Sequence, residues 1–380
     1  MTSTKNPHIV IVGAGIVGST IAFNMSRRGA NVTVLDAEEP GQQASRVSFA
    51  WMNGRDKNPR HYHDINRRSV DMWSRLERLL GGNIGVTWGG ELRWASTQAG
   101  ADDMLERLRE LQSWAYPIHA VDEAEFREME PNVEPGAFKA ASYTPIDGQV
   151  DPIRVIRACL DRATEAGVKL RTNTKVSSVK MVQTPSGQTR VESLDTNEGE
   201  IQCDIAVLAT GADTTELAAT AGIELQHHWT FGATIVTEAT APMFKTAAAV
   251  HTPRDTDPMM NFRQLPDGSL MIHGGQHGTN SDDSMGKTEE EVQRVFEAAK
   301  TYLPSLAEVS IKEVRRGRRP MPADGLPILG FTESVPNLYF ATMHSGVSLA
   351  PLVGEFATTE ILDDARIDLL ENYRPDRFAK

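Results

Sequence analysis

One stretch constrains this chain more than any other: HIVIVGAGIVGSTIAFNMSRRGANVTVLD, His8 to Asp36. The apolar run Ile9 to Val12 reads as a buried strand, Ile16 to Arg28 as a helix stopped by Gly29, and Val32 to Leu35 as a second strand. That is a βαβ unit, which requires parallel strands and hence an α/β sheet. The turn between strand and helix is Gly-Ala-Gly-Ile-Val-Gly. Gly13 permits the tight turn, Gly15 lets a pyrophosphate approach the backbone, and Gly18 lets helix and strand pack closely. The helix start supplies free N–H groups and the positive end of a dipole for the phosphates. Asp36, ending the second strand, is spaced to accept hydrogen bonds from a ribose, and its charge disfavours a 2'-phosphate. NAD and the ADP half of FAD both satisfy this grip.

At 380 residues the chain exceeds what one compact core usually supports, so two joined domains are expected. No apolar run approaches the length that spans a bilayer, and Met1 to Pro7 lacks the apolar segment of a secretory signal, so a cytoplasmic protein is expected. A net charge of -12 argues against a nucleic-acid partner, which would need Lys and Arg for the phosphates. Cys159 and Cys203, the only two cysteines, stand in no metal-ligand or redox spacing and read as packing residues. The histidine pairs His61/His63, His227/His228 and His273/His277 likewise join no Cys/Asp/Glu cluster with zinc spacing, so no metal is expected.

After the βαβ unit, EEPGQQASRVSFAWMNGRDKNP is too irregular for helix or strand, and a loop of that length inside a compact domain is usually functional. Helices are expected at about His61 to Leu80, within the charged stretch Asp102 to Glu130, from Pro152 to Ala166, from Thr288 to Tyr302 and from Ala350 to Leu362. Strands are expected at Lys169 to Arg171, in TKVSSVKMV, TRVESLDT and GEIQCDIAVLATGA, and through most of His227 to Gly275.

CDIAVLATGADTTELAATAGI, a hydrophobic strand ending in Ala-Thr-Gly far from the first βαβ unit, resembles the second nucleotide-contacting strand of flavoproteins with two dinucleotide-binding domains. RRGRRPMPADGLPILG, NLYFATMHSGVSLAPLVGEFATTEIL and YRPDRF resemble the C-terminal part of the D-amino-acid oxidase-like (DAO) superfamily, the group of glycine oxidase, sarcosine oxidase and D-amino-acid dehydrogenases. The likeness extends to GQQASRVSFAWMN, DGQVDPIRVIRACLDRATEAGVKL and NFRQLPDGSLMIHGG. It implies a Rossmann-like FAD-binding domain from residues 1-90, 146-222 and 315-380, with a substrate domain on a mostly antiparallel sheet from 91-145 and 223-314.

The same resemblance implies that Ser45 and Arg46 lie at the FAD pyrophosphate and that Ser48 to Trp51 pass near the flavin ring. It implies that Val176 meets the adenine through its backbone and that Thr210 and Gly211 close over the nucleotide. His344, Ser345, Gly346, Val347 and Ser348 would bring N–H groups to the pyrimidine end of the flavin, where negative charge gathers on reduction. Sarcosine oxidases link a cysteine to the flavin; here Met321 stands in that neighbourhood, which implies non-covalent FAD.

The activity implied is oxidation of the C–N bond of an amino acid or N-substituted amino acid, with oxygen or a quinone chain as acceptor. A carboxylate clamp is then required, and the planar fork of arginine suits it. Arg319 is the first candidate and Arg263 the second, with His251 and Trp51 facing the substrate. Two rivals stay open: an NAD-dependent dehydrogenase, and an accessory flavoprotein subunit of an amino-acid dehydrogenase complex, possible as part of an oligomer.

Overall fold

The computed structural model describes residues 6–274 and 288–378. His277, one of the histidines weighed above, lies outside the described residues. The βαβ unit forms as expected: strands His8–Val12 and Asn31–Leu35 are parallel neighbours, with the helix Ile16–Ser26 between them. A six-stranded sheet grows from this pair in the order Ile328–Phe331, Leu338–Thr342, Ile205–Leu208, His8–Val12, Asn31–Leu35, Lys169–Arg171. Only Ile328–Phe331 runs antiparallel to its neighbour.

Alternation in HIVIV assigns the two faces of this sheet. Ile9 and Ile11 join the helices Arg60–Leu80, Pro152–Glu165 and Gly346–Asp363 in one core. Val10 and Val12 face the other way, toward Val179, Val191 and Leu194 of a three-stranded antiparallel sheet. Because both faces are covered, the strands read as near-continuous apolar runs.

An eight-stranded sheet takes the order Ile311–Pro322, His227–Ala239, Ser269–Gly274, Met260–Gln264, Ala249–His251, Glu91–Ala95, Ala140–Thr144, His119–Val121. One face is apolar: Leu92, Trp94, Ile235, Val250, Phe262 and Ile272 pack with Val292, Val295 and Phe296 of the helix Glu289–Tyr302. Burial of an aliphatic or phenyl side chain of this kind contributes about 1.5–3 kcal/mol. The opposite face is polar yet buried, since Glu91, Arg93, Ser142, His251, Asn261 and Arg263 are all under cover. Cross-strand pairing sets His273, Asn261, His251, Arg93 and Ser142 in one row across five strands.

The strand Ile311–Pro322 belongs wholly to this large sheet, so a domain boundary at residue 315 falls inside a strand. The expected loop after Asp36 holds a four-residue helix, Ala44–Val47, and a two-residue strand, Trp51–Met52, paired with Gly148–Gln149. Among the described residues no helix is long and apolar enough to cross a membrane, and no cluster of three His, Cys, Asp or Glu could hold a metal ion.

Candidate active site

A cavity of about 690 Å³ opens at the C-terminal ends of the parallel strands, where nucleotides bind in open α/β sheets. Gly13 adopts φ +105°, and a Cβ there would meet the Ala209 carbonyl oxygen at 2.4 Å, so this turn admits no larger residue. A Cβ on Gly15 would meet only Ser45 Oγ, at 3.4 Å, which leaves the space over the helix start open for a ligand. The Ile16 N–H donates to Ser45 Oγ at 3.1 Å, so this hydroxyl satisfies one of the donors left free at the helix start.

Asp36 Oδ2 accepts from the Ala14 N–H at 2.7 Å, and Oδ1 accepts from the Glu38 N–H at 3.0 Å. Burial raises its pKa above the ordinary carboxylate value, and these two N–H groups oppose the shift. The carboxylate is therefore fixed in place with lone pairs left for a ribose.

Gly13, Gly15, Asp36, Ser45, Ser48, Val176, Thr210, Gly211, His344, Gly346 and Val347 all line the cavity. Ser345 and Ser348 do other work. Ser345 Oγ accepts from the Tyr62 hydroxyl at 2.6 Å, and Ser348 Oγ donates to the Trp51 carbonyl at 3.1 Å. The first bond holds the start of the helix Gly346–Asp363 against the helix Arg60–Leu80, and the second holds it against the Trp51 segment. Arg46 is turned away from the cavity: it pairs with Glu313 at 2.7 Å and lines a second cleft.

Alternation along Ile311–Pro322 sends Arg318 and Pro320 to the cavity wall and Arg319 to the polar face of the large sheet. The Arg319 guanidinium lies across Gly232, where a Cβ would meet its Nε at 2.4 Å. Its Nη2 donates to His273 Nε2 at 3.1 Å. Since arginine only donates, that nitrogen accepts, and the ring proton sits on Nδ1, facing Thr234 Oγ1 at 3.2 Å. The Thr234 hydroxyl in turn donates a hydrogen bond to the Val47 carbonyl at 2.8 Å. Burial lowers the Arg319 pKa, and among the described residues no carboxylate lies within ion-pair reach of it.

Phe49 and Trp51 lie over the polar row. Phe49 is 6.2 Å from His273 and 6.0 Å from His251 between ring centres, and Trp51 is 4.5 Å from His251. His251 lies beside Asn261 Oδ1, and its Nε2 is 3.7 Å from Glu91 Oε1. Glu91 also accepts from Arg55 at 2.7 Å and Arg93 at 3.0 Å. Burial pushes the Glu91 pKa up, but the two guanidiniums outweigh it and the net shift is downward.

Asp147 takes the Tyr116 hydroxyl on one oxygen and has the Trp51 indole N–H beside it. Burial and the charge of Glu91 raise its pKa to about 8. Arg263 differs from Arg319: it donates to Gln149 Oε1 at 3.0 Å and the Val150 carbonyl at 2.9 Å, and lies over the Phe49 ring. As placed it braces the 149–150 segment.

The sequence reading missed Arg55, Glu91, Arg93, Asn261, Tyr116 and Asp147. A signal was present in ELRWA and MNFRQ, where charged or amide residues alternate with apolar ones at strand period.

The family described as FAD dependent oxidoreductase (DAO) matches this chain over residues 8–360. The chain belongs to it. FAD is the cofactor of this family, and the open cradle at Gly15, the fixed Asp36 and the helix starts at both ends of the cavity suit it. The B subunit of opine oxidase from Rhizobium meliloti is 26% identical over 97% of both chains. Glycine oxidase of Geobacillus kaustophilus is 25% identical over 92% of each. The crystal structure of glycine oxidase from Geobacillus kaustophilus superposes with a TM-score of 0.86, covering 99% of this chain and 100% of its own at 23% identity. L-proline dehydrogenase from P. horikoshii superposes with a TM-score of 0.84 over 98% of each chain, also at 23% identity.

Proposed function

We propose that this protein oxidises the C–N bond of an amino acid or N-substituted amino acid, with non-covalently held FAD. The observation that carries the reading is Arg319: a half-buried guanidinium on the polar face of the large sheet, bonded to His273, with no carboxylate partner among the described residues. Bound flavin supplies the acceptor for a hydride equivalent from the carbon beside a neutral amine.

The protein's own residues orient and shield. Arg319 takes the substrate carboxylate in a two-pronged contact, and His273 and Thr234 fix its plane. Phe49 and Trp51 exclude water from the space over the polar row. The N–H groups at the start of Gly346–Asp363 point at the cavity, where they stabilise negative charge gathering at that end. The similarity to a glycine oxidase and to one chain of an opine oxidase supports an amino acid or an N-carboxyalkyl amino acid as substrate.

The test is the visible spectrum of the purified FAD-loaded protein, followed anaerobically as D-, L-, N-methyl and N-carboxyalkyl amino acids are added. Bleaching of the flavin bands by a member of the panel is expected, and Arg319→Met should abolish it at the same concentration. A flavin that no member bleaches overturns the reading. Likeness to one chain of the multi-subunit opine oxidase favours a second reading, a subunit that needs a partner chain for turnover. In that case substrate bleaches the flavin but neither oxygen nor a dye acceptor restores its colour until the partner is added.

A further inference from the structure

A second cleft, of about 240 Å³, lies apart from the nucleotide cavity and shares no lining residue with it. Four arginines from four elements line it: Arg46 of the helix Ala44–Val47, Arg154 of Pro152–Glu165, Arg263 of Met260–Gln264 and Arg315 of Ile311–Pro322. Three carboxylates answer them, and each is already committed. Glu313 is shared by Arg46 and Arg315, at 2.7 Å from each. Asp151 caps its helix, accepting from the Ile153 and Arg154 N–H groups, and meets Arg154 at 3.4 Å. Asp267 accepts from the Ser269 N–H at 3.0 Å.

Arg263 is the surplus cation. It is 2% exposed, its described partners are an amide oxygen, a carbonyl and the Met271 sulfur, and its Nε has no acceptor among the described residues. A buried guanidinium with no carboxylate in contact, helped at longer range by the charge of Asp151, is costly to hold and lends the cleft a positive potential. At the mouth, Arg46, Arg154 and Arg315 keep donors available, their side chains being 41%, 42% and 20% exposed.

We infer that this cleft is a binding site for a phosphoryl oxyanion, either inorganic phosphate or the phosphate of a small monoester. Forks arriving from four elements suit a tetrahedral group, which offers oxygens in several directions. A carboxylate has two coplanar oxygens and is served by one or two forks.

The test uses the FAD-loaded protein, so that the nucleotide cavity is filled, at constant ionic strength set with chloride. Inorganic phosphate, phenyl phosphate and malonate are titrated in turn, and melting temperature and binding heat are read. Phosphate is expected to give a saturable rise in melting temperature, and phenyl phosphate an equal or larger one if the natural ligand is a monoester. Arg154→Gln and Arg315→Gln, each at unchanged FAD content, should weaken phosphate binding by about tenfold or more, as loss of a charge-assisted hydrogen bond predicts. Absence of a saturable response, or an equal response in both variants, overturns the site. Tighter binding of malonate than of either phosphate overturns the ligand class.

Discussion

Substituting Gly232 by Ala moves the proposed clamp without removing its charge. Gly232 does not have a positive φ, so its strand backbone accepts alanine, but the new Cβ would stand 2.4 Å from Arg319 Nε and 2.9 Å from Cζ and Nη2. The guanidinium has to give way by about 1 Å to restore an ordinary contact near 3.5–4.0 Å. Its bond to His273 and its aim at a substrate carboxylate go together. A charge-assisted hydrogen bond is worth about 1.5–3 kcal/mol, which at 1.4 kcal/mol per tenfold is a loss of roughly 10- to 150-fold in kcat/KM. The loss should fall on substrate affinity, since the carboxylate is held alike before and during hydride transfer. The assay is anaerobic stopped-flow reduction of the flavin, which separates the substrate Kd from the limiting rate, with FAD content and Tm measured alongside. The double variant with Arg319→Met should be no worse than Arg319→Met alone. A folded, FAD-loaded Gly232→Ala protein with wild-type Kd refutes the reasoning.

Two further outcomes follow from buried charges. The Asp147 pKa of about 8 lies above the ordinary carboxylate value, so the folded state holds a proton that the unfolded chain releases near pH 4. Stability from this group is complete below about pH 4 and is lost as pH rises toward 8, at up to about 1.4 kcal/mol per pH unit. Asp147→Asn should flatten the fall of Tm between pH 5 and 8; an unchanged slope would show that the proton is held elsewhere. Glu360 accepts two bonds from Arg374, at 2.9 and 2.6 Å, and one from Tyr339 in a buried cluster that fixes the C-terminal segment. Glu360→Gln should cost about 3–5 kcal/mol by leaving the guanidinium without its counter-charge, read by urea unfolding. A loss under about 1 kcal/mol, the range of an exposed pair, would mean that Glu371, 3.3 Å from Arg374, takes over.

The nucleotide end of the site was legible because local rules govern it. A glycine turn, a helix start and a strand-ending acid lie within His8 to Asp36, and each acts through backbone geometry that the chain carries wherever it folds. The strand before Ala-Thr-Gly was likewise readable from its apolar run, and it pairs with the first strand at Ile9–Ile205. The substrate end was less legible. Glu91, Arg93, Asn261 and His273 become neighbours only through pairing between strands far apart in sequence. In ELRWA the alternation separates two faces, yet all five residues are buried, so polarity along the strand did not mark a solvent side. Arg46 shows the same limit: the family resemblance implied a place at the pyrophosphate beside Ser45, while the turn of a four-residue helix sends it to Glu313.

The six-stranded sheet also sets a timetable for the growing chain. Its earliest strand, His8–Val12, sits beside Ile205–Leu208, which in turn leans on Leu338–Thr342. The nucleotide grip pairs early with Asn31–Leu35, but the strands on its other side are made some 170 to 300 residues later. Until those later strands are made, one edge of the first strand pair stays uncovered, the condition under which nascent chains call on chaperones. A stop codon or truncation before residue 342 therefore removes the far wall of the FAD cavity while leaving the fingerprint motif intact.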